Sequence, residues 1–186
     1  MIDFKTSIHS EQLYLRPMQL RDYDEMLPLC SDTEMWYYFT TDLSDEKTLK
    51  AWIENAVDEI ACQKSLAFTI VDRASGNIIG TTRLGNISDF HRRLEIGWTW
   101  IAKAYQGTGA NGHVKEMLID YLFRETEVLR IEFKTDVLNI PARKAMEKIG
   151  LVKEGLLRSH TVMAHGRRRD TLYYSILREE WMDRRS

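Results

Sequence analysis

The stretch from Leu94 to Met117 constrains this chain more than any other. It begins with β-branched and aromatic residues at Ile96, Trp98, Thr99, Trp100 and Ile101 and passes through Gln106-Gly107-Thr108-Gly109-Ala110-Asn111. A helical pattern then puts Val114, Met117, Leu118, Tyr121 and Leu122 on one face. The order is strand, glycine loop, helix. Small residues let backbone approach a ligand closely, and the first N–H groups of a helix have no partner within it, so such a loop can hold a diphosphate. An ordinary strand-to-helix turn has the same composition, and on this stretch alone the two readings stand side by side.

What is missing narrows the choice. No Lys-Ser or Lys-Thr follows the glycines as a triphosphate-binding P-loop requires, and Gly112 is misplaced for the three-glycine dinucleotide spacing. The stretch instead resembles the coenzyme A loop of the GNAT acetyltransferase superfamily, whose pattern is Gln or Arg, two residues, Gly, one residue, then Gly or Ala. Gln106 and Gly109 match it. Asn111 stands where Gly or Ala is usual, and this departure resembles the Gly-Thr-Gly-x-Asn variant of RimJ/RimL-type N-acetyltransferases. The resemblance runs from about Gln12 to Trp181, nearly the whole chain.

With 186 residues the chain suits one domain, read as an N-terminal extension over 1–11 and a single GNAT-like domain over 12–186. Its 26 basic and 28 acidic side chains leave a net charge of −2, which gives no broad attraction for nucleic acid or an anionic membrane. No apolar run approaches the roughly 20 residues that span a bilayer, and the polar start lacks the apolar centre of a signal peptide, so cytoplasmic residence is the expectation. Cys30 and Cys62 form neither a CxxC pair nor a zinc set with the five histidines. Both read as small buried hydrophobes, and no metal is expected.

The remaining elements follow from pattern. Leu13–Pro17 reads as a short strand, Asp22–Cys30 as a helix, and Ser44 as the start of a helix to about Ile60 with Leu49, Trp52, Ile53, Ala56, Val57 and Ile60 on one side. Strands at Leu66–Asp72, Ile78–Ile87 and Arg93–Ile101 form an antiparallel meander, and the helical crossover to Ile131–Asp136 predicts a parallel pair. Asn139-Ile140-Pro141 opens a helix that Gly150 ends. Val152–Met163 and Arg168–Leu177 close the chain as a hairpin. The expected fold is therefore α/β (α+β): a GNAT-like mixed, mostly antiparallel seven-stranded sheet, splayed between its central strands, with helices on both faces.

The resemblance implies acetyl-CoA as co-substrate and assigns roles residue by residue. Backbone N–H groups of Gln106, Gly107, Thr108, Gly109, Ala110 and Asn111 would hold the diphosphate. Backbone of Thr99, Trp100 and Ile101 would pair with the pantetheine arm as an added strand, and Asn139 would contact that arm, a role compatible with capping the following helix. Glu95, eleven positions before Gln106, matches the glutamate that takes the acceptor's proton; the opposing reading is a solvated carboxylate paired with Arg92 or Arg93. Gly97 is a candidate bulge, or else room for a neighbouring aromatic.

Trp36 and Tyr37 fall where relatives line the acceptor pocket, against plain core packing. Ala142 and Met146 stand where relatives often have a cofactor-contacting serine and a proton-donating tyrosine, and Met donates no proton. Ser175, Tyr173 or Tyr174 in the last strand are candidate substitute acids, with solvent as the alternative. Arg167-Arg168-Arg169 at the hairpin tip reads as a solvated basic run rather than a nucleic-acid site.

These residues point to an N-acetyltransferase for a primary amine, either a protein N-terminus or a small molecule. Two alternatives stay open: a GNAT-like acyl-CoA-binding module without turnover, and a transferase for a longer acyl group. The aromatic content and the final hairpin are compatible with a homodimer.

Overall fold

The computed structural model describes residues 2–184. Its strands are β1 (Ile8–His9), β2 (Leu13–Pro17), β3 (Leu66–Asp72), β4 (Ile78–Ser88), β5 (Arg93–Ile101), β6 (Arg130–Asp136), β7 (Val152–Val162) and β8 (Arg168–Leu177). They form one sheet in the order β1-β2-β3-β4-β5-β6-β8-β7, antiparallel throughout except for the parallel pair β5–β6. The α-helices are α1 (Tyr23–Cys30), α2 (Glu46–Ala61), α3 (Ala110–Glu125), α4 (Ile140–Lys148) and α5 (Arg178–Asp183).

The mixed sheet and its crossover are as the sequence predicts, with eight strands rather than seven. The added strand is β1, which pairs with β2 at Ile8↔Leu15 and His9↔Tyr14. Ile2 and Ile8 are buried in the main core. Segment 2–11 is therefore tied to the sheet, because two apolar side chains in a polar stretch suffice to anchor it. Asp45, not Ser44, caps α2 by accepting a hydrogen bond from the Thr48 N–H at 2.8 Å, while Ser44 donates to Asp42. Cys30 is buried, and burial pushes its thiol up to about 12. Cys62 is exposed, a correction to the sequence expectation: it falls just beyond the last turn of α2, outside the helix's apolar stripe.

Alternation along the strands divides the sheet into two chemically different faces. Leu66, Phe68, Leu84, Leu94, Ile131, Phe133, Leu172 and Tyr174 join α3, α4 and α5 in the larger core through Val114, Leu118, Leu122, Met146 and Trp181. On the opposite face, Ala67 and Trp100 pack with Met26, Trp36, Leu49 and Ile53 beneath α1 and α2. Register places Thr81 with Trp100, Arg83 with Gly97, Gly85 with Glu95, Glu95 with Glu132 and Glu132 with Ser175 on that second face. Over β6 and β8 it is polar, carrying Glu132, Lys134, Tyr173 and Ser175.

Candidate active site

The parallel pair β5–β6 lasts only three residues, Arg93↔Arg130, Leu94↔Ile131 and Glu95↔Glu132. Beyond Glu95 the strands part, and the β5 edge toward Ile101 has no strand beside it on that side. The cause lies on the other edge of β5. Register against β4 slips between Thr81↔Trp100 and Arg83↔Gly97, and Trp98 takes a left-handed φ of 51°. A bulky residue there costs roughly 1–2 kcal/mol, and the extra residue bends the strand away from β6. The bulge therefore lies one residue past Gly97. Gly85 makes the bend feasible: a Cβ on it would stand 2.7 Å from the Trp98 ring.

At the far end of β5 the chain turns through Lys103–Tyr105 into the glycine loop. The Gln106 side chain donates to the Ile101 carbonyl at 2.9 Å, pinning the loop to the strand. Gly107 and Gly109 adopt φ of 77° and 92°, and Gly109 is the N-cap of α3. Among the described residues no acceptor meets the backbone N–H groups of Gly107, Thr108, Gly109, Asn111 or Gly112, and Ala110 makes only a 3.4 Å contact with the Thr108 hydroxyl. Gln106 to Gly109 are exposed. Open amides at a helix start, with the positive end of the helix dipole behind them, form an anion cradle.

Asn111, the departure from the usual loop pattern, has a physical function here. Its side-chain oxygen accepts a hydrogen bond from Lys115 one turn on, and Lys115 is buried within α3. Burial lowers that ammonium from 10.5 to about 8. Between those values the unfolded chain binds more protons than the folded one, so stability should rise with pH across that window. Lys115→Met should stabilise the fold at pH 7 by about 1–3 kcal/mol. The gain should shrink toward pH 10, as paired thermal melts at the two pH values would show.

Asn139 lies across the splay from β5. Its side chain accepts the Ala142 N–H at 3.1 Å and caps α4, which holds it at the C-terminal end of β6. Met146 is buried in the larger core. Its thioether donates no proton.

Glu95, at the vertex of the splay, is only 6% exposed. Its partners are neither Arg92 nor Arg93. The Asn86 amide and the Lys134 ammonium both donate to Oε2 at 2.6 Å, and among the described residues Oε1 accepts no side-chain hydrogen bond. Asn86 reaches it from a left-handed φ of 48°, a conformation Asn tolerates better than most residues. Burial draws the Lys134 ammonium down, but the hydrogen bond and charge of Glu95, with the Tyr173 ring 5.0 Å away, leave it above the ordinary lysine value.

The three candidate acids separate clearly. Tyr174 points to the apolar face and donates to Glu147 at 3.1 Å. Ser175 donates to Glu154 at 2.8 Å, and Glu154 is itself held by Arg130. Two strands from Glu95 along one row, Ser175 sits roughly 10 Å away. Tyr173 faces the splay beside Lys134.

Trp36 is fully buried, donating to the Cys30 carbonyl at 2.9 Å and meeting Trp100 edge-on. Tyr37 is 47% exposed under the Arg167 guanidinium, 5.2 Å from its ring. Arg167 also pairs with buried Asp136, and His165 lies 3.7 Å from Asp42. The hairpin tip thus reaches over the wide end of the splay to the Tyr37–Asp42 segment. Sequence reasoning missed Asn86 and Lys134 as members of this site. Among the described residues no cluster of His, Cys, Asp and Glu could hold a metal ion, and no helix is long and apolar enough to cross a membrane.

A splayed parallel pair with an open amide cradle at the mouth of one strand and a buried carboxylate at its vertex defines an acyl-CoA-dependent acyltransferase. The sequence model of the acetyltransferase (GNAT) domain matches residues 12–152. The uncharacterized N-acetyltransferase p20 of Bacillus licheniformis is 30% identical over 94% of this chain and 98% of its own. Spermidine N-acetyltransferase from Vibrio cholerae, solved with CoA and spermine, superposes with a TM-score of 0.79 at 25% identity over 93% of this chain and 99% of that one. A GCN5-related N-acetyltransferase from Brucella melitensis shares the fold, with a TM-score of 0.87 at 24% identity over 96% and 81% of the two chains. The chain belongs to the GNAT acetyltransferase family and is an acetyl-CoA-dependent N-acetyltransferase.

Proposed function

We propose that the chain transfers the acetyl group of acetyl-CoA to a primary amine in the cytoplasm, by direct attack with Glu95 as base. The observation that carries this reading is the set of unpaired amides of Gly107, Thr108, Gly109, Asn111 and Gly112 at the mouth of the splay, with Glu95 at its vertex. Acetyl-CoA supplies the activated acyl group, a thioester whose carbonyl carbon accepts an amine.

The rest falls to this chain's own residues. The loop amides bind the diphosphate. The free edge of β5, from Thr99 to Ile101, orients the pantetheine arm by strand-like pairing, and the half-buried Asn139 contacts the same arm from the β6 side. The acceptor comes from the α1/α2 face, where Glu95, Lys134 and Tyr173 lie. Asn86 and Lys134 hold the carboxylate by one oxygen and leave Oε1 to take the proton from the ammonium, directly or through one water. Tyr37 and the hairpin tip bound the acceptor's entrance, with Trp36 shaping its floor from below.

Tyr173 is a better placed donor to the departing thiolate than Ser175, whose proton is committed to Glu154. Tyr173→Phe should lower kcat by roughly 10- to 100-fold with KM for acetyl-CoA nearly unchanged, while Ser175→Ala should stay within about threefold. Steady-state thiol release on the two variants checks both.

The direct test is thiol release from acetyl-CoA across a panel of amines, from N-terminal peptides to polyamines and amino acids. Turnover with at least one amine is expected. Binding of acetyl-CoA without turnover on any of them would instead favour an acyl-CoA-binding module.

A further inference from the structure

The helix-covered face next to Glu95 holds a cluster that the transfer chemistry leaves unused. Arg83 is 5% exposed. Its guanidinium lies between two indoles, 5.1 Å from the Trp52 ring and 5.7 Å from the Trp98 ring. One terminal nitrogen donates to Glu59 at 3.1 Å. Nε and the other terminal nitrogen are buried without an acceptor, as is the Trp100 indole N–H. Together Nε and Nη2 form the side-on fork of the guanidinium, the edge that matches a carboxylate with two parallel hydrogen bonds.

Buried donors without partners are costly and uncommon in folded proteins, and three of them lie on this one face of the β4–β5 pair. Trp52, Trp98 and Trp100 are also walls of a cavity of about 20 Å³ completed by Trp36, Phe39 and neighbouring threonines. It has room for about one water as it stands. Trp98, at the strained bulge and 38% exposed, is the wall that separates this cavity from the Arg83 guanidinium, and Arg83 itself does not line the cavity. Every unmet group at this place is a donor.

Neighbouring charges point the same way. Lys134, Arg167 and Arg169 border the same face against Glu95 and Asp136, and the Glu59 carboxylate is already engaged by Arg83. Each of these three carboxylates is already paired with a cation, Glu59 with Arg83, Glu95 with Lys134 and Asp136 with Arg167, so none is left over for a polycationic acceptor.

We propose that the acceptor carries a carboxylate of its own, which docks on the Nε/Nη2 fork of Arg83 beside the Trp100 indole while its amine faces Glu95. This rests on the acetyl-transfer reading above and names its substrate class. Arg83 and Glu95 stand two rows and one strand apart, roughly 8 Å between their Cα positions. Both side chains leave the same face of neighbouring strands, so one short acceptor, an amino acid or an acidic N-terminal residue, can reach both. Trp98 swings aside to admit the group, and the Trp52 face keeps the guanidinium in plane.

The test compares matched acid and amide acceptors: alanine with alaninamide, and Asp-Ala-amide and Glu-Ala-amide with their Asn and Gln counterparts. Binding is measured by calorimetry on the full chain saturated with CoA, alongside thiol release with acetyl-CoA. In at least one pair the acid should bind ten times or more tighter than the amide. Arg83→Lys keeps a cation for Glu59 but has no fork, and it should abolish that preference while leaving CoA affinity unchanged. Arg83→Met combined with Glu59→Gln, which leaves no unpaired buried charge, should do the same.

Equal binding of acid and amide in every pair, or a preference that survives both variants, would overturn the inference and leave acetyl transfer standing. Absent turnover with every amine would instead count against the transfer reading, and the calorimetric preference would still decide whether Arg83 holds a carboxylate.

Discussion

Glu95→Gln should lower kcat by about 10²- to 10³-fold while leaving the affinity for acetyl-CoA within a factor of about two. The substituted amide matches the carboxylate in size and can still accept from Asn86, so the vertex of the splay keeps its shape. It cannot take a proton from an incoming ammonium. The complication is Lys134, whose ammonium loses its anionic partner at 2.6 Å in a largely buried site. Removing one member of a buried pair destabilises by several kcal/mol in the worst cases, roughly 3–5 kcal/mol.

Lys134→Met separates the two effects. It should cost stability as Glu95→Gln does but retain most turnover, since the proton acceptor remains. Thermal melts and steady-state thiol release on both variants provide the comparison. Equal loss of turnover in the two would mean that Glu95 matters as Lys134's partner and not as a base.

The second large effect is expected at the loop. Gly109→Val should raise the dissociation constant for acetyl-CoA by about 10- to 100-fold, equivalent to the roughly 1–3 kcal/mol of holding a branched residue at positive φ. A Cβ at Gly109 meets nothing within 4 Å, so the effect is backbone strain and not a clash. The φ of 92° at the N-cap is what turns the following amides outward. The free valine variant relaxes this exposed turn and should keep its melting temperature to within a few degrees, while losing most of its stabilisation by acetyl-CoA, which requires the strained turn. A wild-type response to acetyl-CoA in this variant would mean that the loop amides do not carry the diphosphate.

Periodicity and local chemistry made most of this fold legible. The apolar stripe of α3, the Asn-x-Pro opening of α4, the meander of β3 to β5 and the crossover to β6 are local patterns, and each lies where they place it. The N-terminal strand was not legible because two residues of ladder leave no alternation to read. Nor was α5, six residues long and too short for a stripe.

The cradle could be read because it depends on glycine and on chain direction, both written locally. The surroundings of Glu95 could not. Lys134 and Asn86 come together only through the registers of β5 with β6 and β4, and a one-residue slip would send them to the other face. In sequence, Gly97 is the candidate bulge, or else room for a neighbouring aromatic. The strained residue is Trp98, whose ring rests in the space left by Gly85 on the neighbouring strand. That relation spans thirteen positions in the chain and appears only once β4 and β5 are paired. Arg83 fails to stand out for a related reason, since its burial under α2 depends on Trp52 and Glu59 from a distant helix.

Amide hydrogen exchange with and without acetyl-CoA tests the central claim most directly. The unpaired amides of Gly107 to Gly109, Asn111 and Gly112 and the Ile101 amide, which points away from β4 on the free edge of β5, should exchange fast in the free chain and become protected together on binding. Saturating acetyl-CoA that protects other segments while leaving both of these unchanged would contradict the account.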